Sequence, residues 1–215
     1  KVVVALLSGR SAKHFLDVQR ATHLDTMKAL TTARRNAATT QDALLAERFF
    51  RGDSLAGAKL GLTSKAKQEQ MGVNEPAYGW VTRSSVLGDS ADVAIAELIH
   101  PRVEPEFVFV MGSDLTGANC TADDVLDATE RVVGGIEVID SRYEAFKFTL
   151  PDVIADNTSA ARVAIGDRGV APRDVDLRTV ECTFTIDGEV TGVASGEALL
   201  GSPAECVAML VRHLP

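Results

Sequence analysis

The sequence has little of what most enzyme and binding classes depend on. Three cysteines (Cys120, Cys182, Cys206) are widely spaced and odd in number, with no C-x-x-C pair. That argues against a disulfide framework and for buried free thiols in a reducing cytosol. Four histidines, at 14, 23, 100 and 213, are too scattered for a histidine metal centre. No G-x-S-x-G and no Ser-His-Asp order is present, which disfavours acyl transfer by a serine nucleophile. No G-x-G-x-x-G or Walker motif is present, which disfavours dinucleotide and nucleotide binding. There is no basic run, and the net charge is −8, so no nucleic-acid partner is expected. An anionic substrate must then be received by a local cation. The apolar run near the start is six residues long, too short for a signal segment or a membrane span. The expected location is the cytoplasm, with no membrane partner. The first residue is Lys1, not Met, so residues upstream are expected. Internal repeats and low-complexity linkers are absent too.

What is there is ordinary core material: 46% hydrophobic and 24% charged residues over a length of 215, enough for one large domain. Residues 11–37 read as a helix, with Phe15, Val18, Leu24, Met27 and Leu30 near a 3.6 period and Ser11 as N-cap. A second helix is expected over 40–51, ending at Gly52. These make an N-terminal helical segment, 1–54, ahead of a catalytic domain, 55–215. Residues 57–63 read as a glycine-bearing strand and 64–72 as one or two helical turns. Residues 73–98 read as irregular or short strands. A strand at 107–110 follows, then a helix from Thr121 to about Val133 with acids in its first turn. Short strands are expected at 136–140 and 161–165. Alternation over 180–186, with Asp187-Gly188 before 189–193, predicts a hairpin. Ser202-Pro-Ala-Glu205 reads as a capping box that opens a helix to about His213. Strands in the middle and helices at the ends make the fold class α+β.

Glu104 and Glu106 lie two apart in a strand-like run, and Glu137 lies in another. Residues two apart on a strand share a face. Glutamates aimed into an apolar sheet repel each other and resist desolvation, and a hard divalent cation removes both problems. A solvated strand face carrying two glutamates has the same spacing, and spacing alone does not separate these readings.

Gly57-x-Lys59-x-Gly-Leu-Thr63-Ser64, Gln70-Met-Gly-Val73, His100-Pro-Arg-Val-Glu-Pro-Glu106, Glu137-Val-Ile-Asp-Ser-Arg142 and Ala155-Asp-Asn157 occur in that order. Together they resemble the fumarylacetoacetate-hydrolase superfamily in its hydratase/decarboxylase branch, over residues 55 to 212. Ile139 to Asp152 resembles the decarboxylase version of that branch. The resemblance implies a mixed β-sheet roll or barrel. It also implies Glu104, Glu106 and Glu137 as ligands of Mg²⁺ or Mn²⁺. It implies decarboxylation of a 2-oxo diacid, 2-oxo-3-hexenedioate, with hydration of a pentadienoate as the alternative. A non-catalytic assembly partner of such an enzyme is the reading from another class. A homo-oligomer, and association with a hydratase, are implied too. Members continue past a helix like 202–213 with a glycine-rich turn and a last strand, which this sequence does not contain.

Lys59, between glycines, is the candidate to stabilise an enolate or hand over a proton; the competing reading is a structural lysine. Arg142 and Lys147 are candidates for the second carboxylate, with a surface charge the competing reading for Lys147. Thr63 and Ser64 are candidates for the first. Asp156, with Asn157, is a candidate for the catalytic surroundings, against a tight turn. Asp140 is expected to hold the loop of Arg142.

Overall fold

The computed structural model describes residues 3–6, 32–71 and 76–214. Its strands are β1 (Val3–Leu6), β2 (Leu55–Gly61), β3 (Ala77–Thr82), β4 (Val86–Leu87), β5 (Arg102–Met111), β6 (Thr129–Ile139) and β7 (Ala160–Val170). They form one mixed sheet in the order β3-β2-β1-β5-β6-β7-β4. Pairings are antiparallel except β1 with β5 and β4 with β7. A separate hairpin joins β8 (Glu181–Ile186) to β9 (Glu189–Ser195) through Asp187 and Gly188, both at positive φ. That is the expected hairpin, and its turn residues are types that tolerate such backbone. The helices are α1 (Thr32–Phe50), α2 (Lys65–Met71), α3 (Ala122–Ala128), α4 (Leu150–Ala155) and α5 (Pro203–His213). Among the described residues no helix is long and apolar enough to cross a membrane.

The sheet buries both faces. On one lie Ala56, Val81, Val108, Val133 and Val163. On the other, Ala58, Leu60, Phe109 and Val132 pack with Val125 of α3 and Val207 and Leu210 of α5. Val108 and Phe109 are adjacent in β5, point opposite ways and are both 0% exposed. Burying each such side chain contributes roughly 1.5–3 kcal/mol.

Four expectations are corrected. The break near residue 38 is absent, and one helix runs through Thr39 and Thr40. Their hydroxyls donate to the carbonyls of Arg35 and Asn36, each at 2.9 Å, inside the helix and not at a cap. The helix expected from residue 11 lies outside the described residues as far as 31. The helix opening at Thr121 stops at Ala128, not Val133. Thr129 adopts extended backbone, and Val132 and Val133 pair with Phe109 and Val108 in the sheet, where β-branched side chains pack well. At Ser202 the capping box does not form: the Ser202 side chain makes no cap bond. Glu205 accepts instead from Arg212 at 2.7 Å. Finally, Val3–Leu6, read only as a short apolar run, is an interior strand of the sheet, between β2 and β5.

Candidate metal and substrate site

Strand register brings the carboxylates together. Glu104 lies opposite Glu137 across the β5–β6 ladder, and Glu106 lies on the same face of β5 as Glu104. One ligand oxygen from each falls within 4.8 Å of the others, the one such group among the described residues. Lys59 reaches it from β2. Its Nζ lies 2.5 Å from Glu137 Oε1 and donates to the Thr158 carbonyl at 3.0 Å. The lysine is 1% exposed, Glu137 2% and Glu106 7%.

That carbonyl is presented by strained backbone. Asn157, Thr158 and Ser159 all have positive φ, between 50° and 58°, which side chains other than glycine rarely adopt. Asn157 holds the turn against the sheet edge. Its Oδ1 accepts from the Trp80 N–H at 2.7 Å and its Nδ2 donates to the Trp80 carbonyl at 2.9 Å. The side chain thus pairs with β3 as another strand would. Close approach requires Gly79, where an added Cβ would meet the Asn157 carbonyl oxygen at 2.8 Å as well as the Thr158 hydroxyl.

Electrostatically the group is incomplete. Three carboxylates face one buried ammonium, and Glu106 Oε1, Glu106 Oε2 and Glu137 Oε2 are buried without a hydrogen bond. Burial pushes Glu106 well above the ordinary carboxyl range, and the charge of Glu137 pushes it the same way. Burial also raises Glu137, against the opposing pull of Lys59. At Glu104 burial is outweighed by nearby cations, Lys67 and Lys59 among them, and the carboxyl is lowered. Lys67 lies 3.3 Å from Glu104 Oε1. A dry cluster of carboxylate oxygens without donors matches the needs of a hard divalent cation, which takes oxygen ligands and leaves positions for others. No cysteine or histidine belongs to the group.

Beside the cluster is a small pocket of about 90 Å³, lined by Lys59, Lys67, Arg102, Glu104, Phe146 and Phe148 among others. A larger cavity of about 1080 Å³ opens between the hairpin's Cys182 and Phe184 and a row of Val103, Pro105, Phe107 and Ile136, and Arg102 and Glu106 also border it. Strand alternation puts that row on the face opposite the glutamates. The lining of the larger cavity is largely apolar, whereas the small pocket brings Lys59, Lys67, Arg102 and Glu104 together.

Several residues singled out from the sequence are not brought to this pocket. Arg142 is committed elsewhere: its Nε donates to Asp156 Oδ1, one terminal nitrogen to the Asp156 carbonyl and the other to the Asp140 carbonyl. Asp156 also accepts from the Ser159 and Ser141 hydroxyls, at 3.0 and 3.4 Å. It is the buried hub that fixes the 157–159 turn, and so acts on Lys59 only through Thr158. Asp140 accepts from the backbone N–H groups of Ile99 and His100, which anchors the entry to β5. Lys147 is exposed. Ser64 accepts from the Lys67 N–H at the start of α2, and Thr63 is fully buried; neither lines the pocket. Two lining cations, Arg102 and Lys67, were missed. Arg102 was legible: it continues the row of Glu104 and Glu106 by one step of two.

No family model matches the chain. It is 44% identical over 164 residues to a 4-oxalocrotonate decarboxylase of Pseudomonas putida, a match covering 76% of this chain and 62% of that protein. It is 40% identical over 172 residues to a 2-hydroxypent-2,4-dienoate hydratase of Pseudomonas putida, covering 80% of this chain and 78% of the hydratase. Its fold superposes on the 4-oxalocrotonate decarboxylase from Pseudomonas putida G7 complexed with magnesium and adipate. There the TM-score is 0.80 at 34% identity, over 96% of this chain and 81% of that one. A second structure of that decarboxylase, complexed with calcium and acetate, gives 0.78 at 35% identity, over 94% of this chain and 77% of that one. The chain thus spans less than two thirds of the length of the decarboxylase relative first named.

Proposed function

The chain belongs to the hydratase/decarboxylase family of the 4-oxalocrotonate decarboxylases, and from that premise we propose that it decarboxylates 2-oxo-3-hexenedioate to 2-hydroxypenta-2,4-dienoate. On this reading its sheet is the roll of the fumarylacetoacetate-hydrolase type. The observation that carries the reading is the cluster of Glu104, Glu106 and Glu137, three of whose oxygens lack a donor, with Lys59 in contact. These glutamates would hold Mg²⁺ or Mn²⁺. When bound, the cation supplies Lewis acidity toward the keto oxygen of a 2-oxo acid.

The rest falls to the chain's own residues. The distal carboxylate of the substrate is a vinylogous β-keto acid. As its C–C bond breaks, CO₂ leaves and the electron pair passes through the double bond toward the keto oxygen. Lys59 is buried between Glu137 and the Thr158 carbonyl, so its ammonium is fixed where charge develops. It stabilises the dienolate and donates the proton that makes the dienol. Phe146 and Phe148 line the pocket and keep water from the departing carboxylate.

A hydratase acting on 2-hydroxypenta-2,4-dienoate is the second reading. The match to the hydratase, which covers 78% of that protein, favours it. Ultraviolet monitoring of 2-oxo-3-hexenedioate with Mg²⁺ and CO₂ trapping separates the two. Metal-dependent CO₂ release is expected. Consumption of the dienol without CO₂ release from the diacid would replace the decarboxylase with the hydratase.

A further inference from the structure

Arg102 falls inside the motif His100 to Glu106, but nothing above gives it a role. It lies on the same face of β5 as Glu104 and Glu106, one step of two residues nearer the start of the strand, and it lines the small pocket. Three cations line that pocket, and two are committed. Lys59 is paired with Glu137 and Lys67 with Glu104. Arg102 forms no ion pair among the described residues. Its guanidinium lies over the ring of Phe146, with Cζ 4.0 Å from the centroid. The ring is fixed in turn: Ala145 and Phe146 both have positive φ, and His100 stacks on the same ring with centroids 4.9 Å apart. A guanidinium resting on an aromatic face keeps its in-plane N–H groups free for a bidentate carboxylate.

We propose that Arg102 is the residue that selects a dicarboxylate, by binding the substrate carboxylate remote from the glutamate cluster. This rests on the reading of the pocket as a 2-oxo-acid site and adds to it which cation meets the second acid group. The dimensions agree. One step of two residues along a strand advances about 6.6 Å, and the carboxyl carbons of an extended six-carbon diacid stand about 6 Å apart across five C–C bonds. A 2-oxo acid group at the glutamates, with its chain laid along β5 toward the start of the strand where Arg102 lines the pocket, puts the far carboxylate level with Arg102. Arg142, whose nitrogens are spent on Asp156 and Asp140, is not available for this role. A single uncommitted cation at this position also answers a requirement of the whole chain. With a net charge of −8, a dianion gains nothing from the overall field and must be met locally.

The test is calorimetric binding of 2-oxoadipate and 2-oxohexanoate to the protein with Mg²⁺. These ligands differ only in the distal carboxylate, and neither has the unsaturation that decarboxylation needs. Wild type is expected to bind the diacid about ten- to a hundredfold more tightly, the usual worth of a charge-assisted pair. Arg102→Met should abolish that preference and leave 2-oxohexanoate binding unchanged, and Arg102→Lys should restore part of it. Because 2-oxohexanoate binding reports an intact pocket, a misfolded variant is recognised at once. Equal affinity of wild type for both ligands, or a preference that survives Arg102→Met, would overturn the assignment. Wild type that binds 2-oxoadipate selectively but releases no CO₂ from 2-oxo-3-hexenedioate would leave Arg102 in place and remove the decarboxylase. CO₂ release with selectivity unchanged in Arg102→Met would do the reverse.

Discussion

Glu106 is 7% exposed, has neither oxygen hydrogen-bonded and sits beside two further carboxylates. In the metal-free protein such a group opposes folding, and its raised pKa fixes the sign. A carboxyl whose folded value lies above its unfolded value binds extra protons in the native state. The stability it allows is complete below the ordinary value of 4.5 and is lost as pH rises through the raised one. The metal-free protein should therefore lose thermal stability as pH climbs from 4.5 toward neutrality, and Mg²⁺ should raise the melting temperature more at pH 8 than at pH 5. Glu106→Gln removes the charge and keeps the shape. It should melt higher than metal-free wild type at pH 7 and gain nothing from Mg²⁺. Scanning calorimetry at several pH values reads both effects; a variant that melts lower than wild type without metal would refute this account of the cluster. Lys59→Met acts in the opposite direction. It strips Glu137 of its buried cation, so unfolding in urea should show a loss of about 3–5 kcal/mol. Activity should fall about 10²–10⁴-fold if Lys59 is the proton donor.

Elements are held by side chains that stand in for backbone. Asp53, just before β2, accepts from the Ser54 N–H at 2.8 Å, the Ser84 N–H at 3.1 Å and the Ser84 hydroxyl at 2.5 Å. It thereby ties the start of β2 to the turn after β3. Burial would raise its pKa, but these bonds, with a further one from Thr82, hold it down to about 2. The sign is the reverse of Glu106: the contribution is complete above 3.8 and is lost as pH falls through 2. Asp53→Asn should cost about 1 kcal/mol at pH 7, and its deficit should shrink between pH 3.8 and 2 in acid unfolding; a constant deficit would mean the charge is not what matters. Local signals of this scale were unevenly legible. The hairpin turn at Asp187-Gly188 and the cap at Thr121 read directly, because each depends on adjacent residues. The end of the helix at Ala128 did not read, because Val132 and Val133 fit a helix or a strand until Phe109 and Val108 are paired with them. Thr39 and Thr40 resembled a helix start because a hydroxyl that bonds backward looks, in sequence, like one that caps.

At the scale of the molecule, the sheet gathers Lys59, Glu104, Glu137 and Thr158 from four separate stretches of chain. The row of Glu104 and Glu106 was legible because strand alternation alone puts them on one face. The partners of Arg142 were not: its carboxylate, Asp156, reaches it only after α4 folds back, and nothing in the charge pattern distinguishes a spent arginine from a free one. Arg102 differs: its place on the row of Glu104 and Glu106 was legible from alternation, and only its freedom from an ion pair among the described residues needed the structure. We propose that the three glutamates, gathered by β5 and β6, form one divalent-cation site. Calorimetric titration of Mn²⁺ into metal-free protein, in parallel with Glu106→Gln of unchanged circular dichroism, tests it most directly. One saturable site per chain in wild type, lost in the variant, is the predicted result; no saturable binding, or equal binding by the variant, would contradict it.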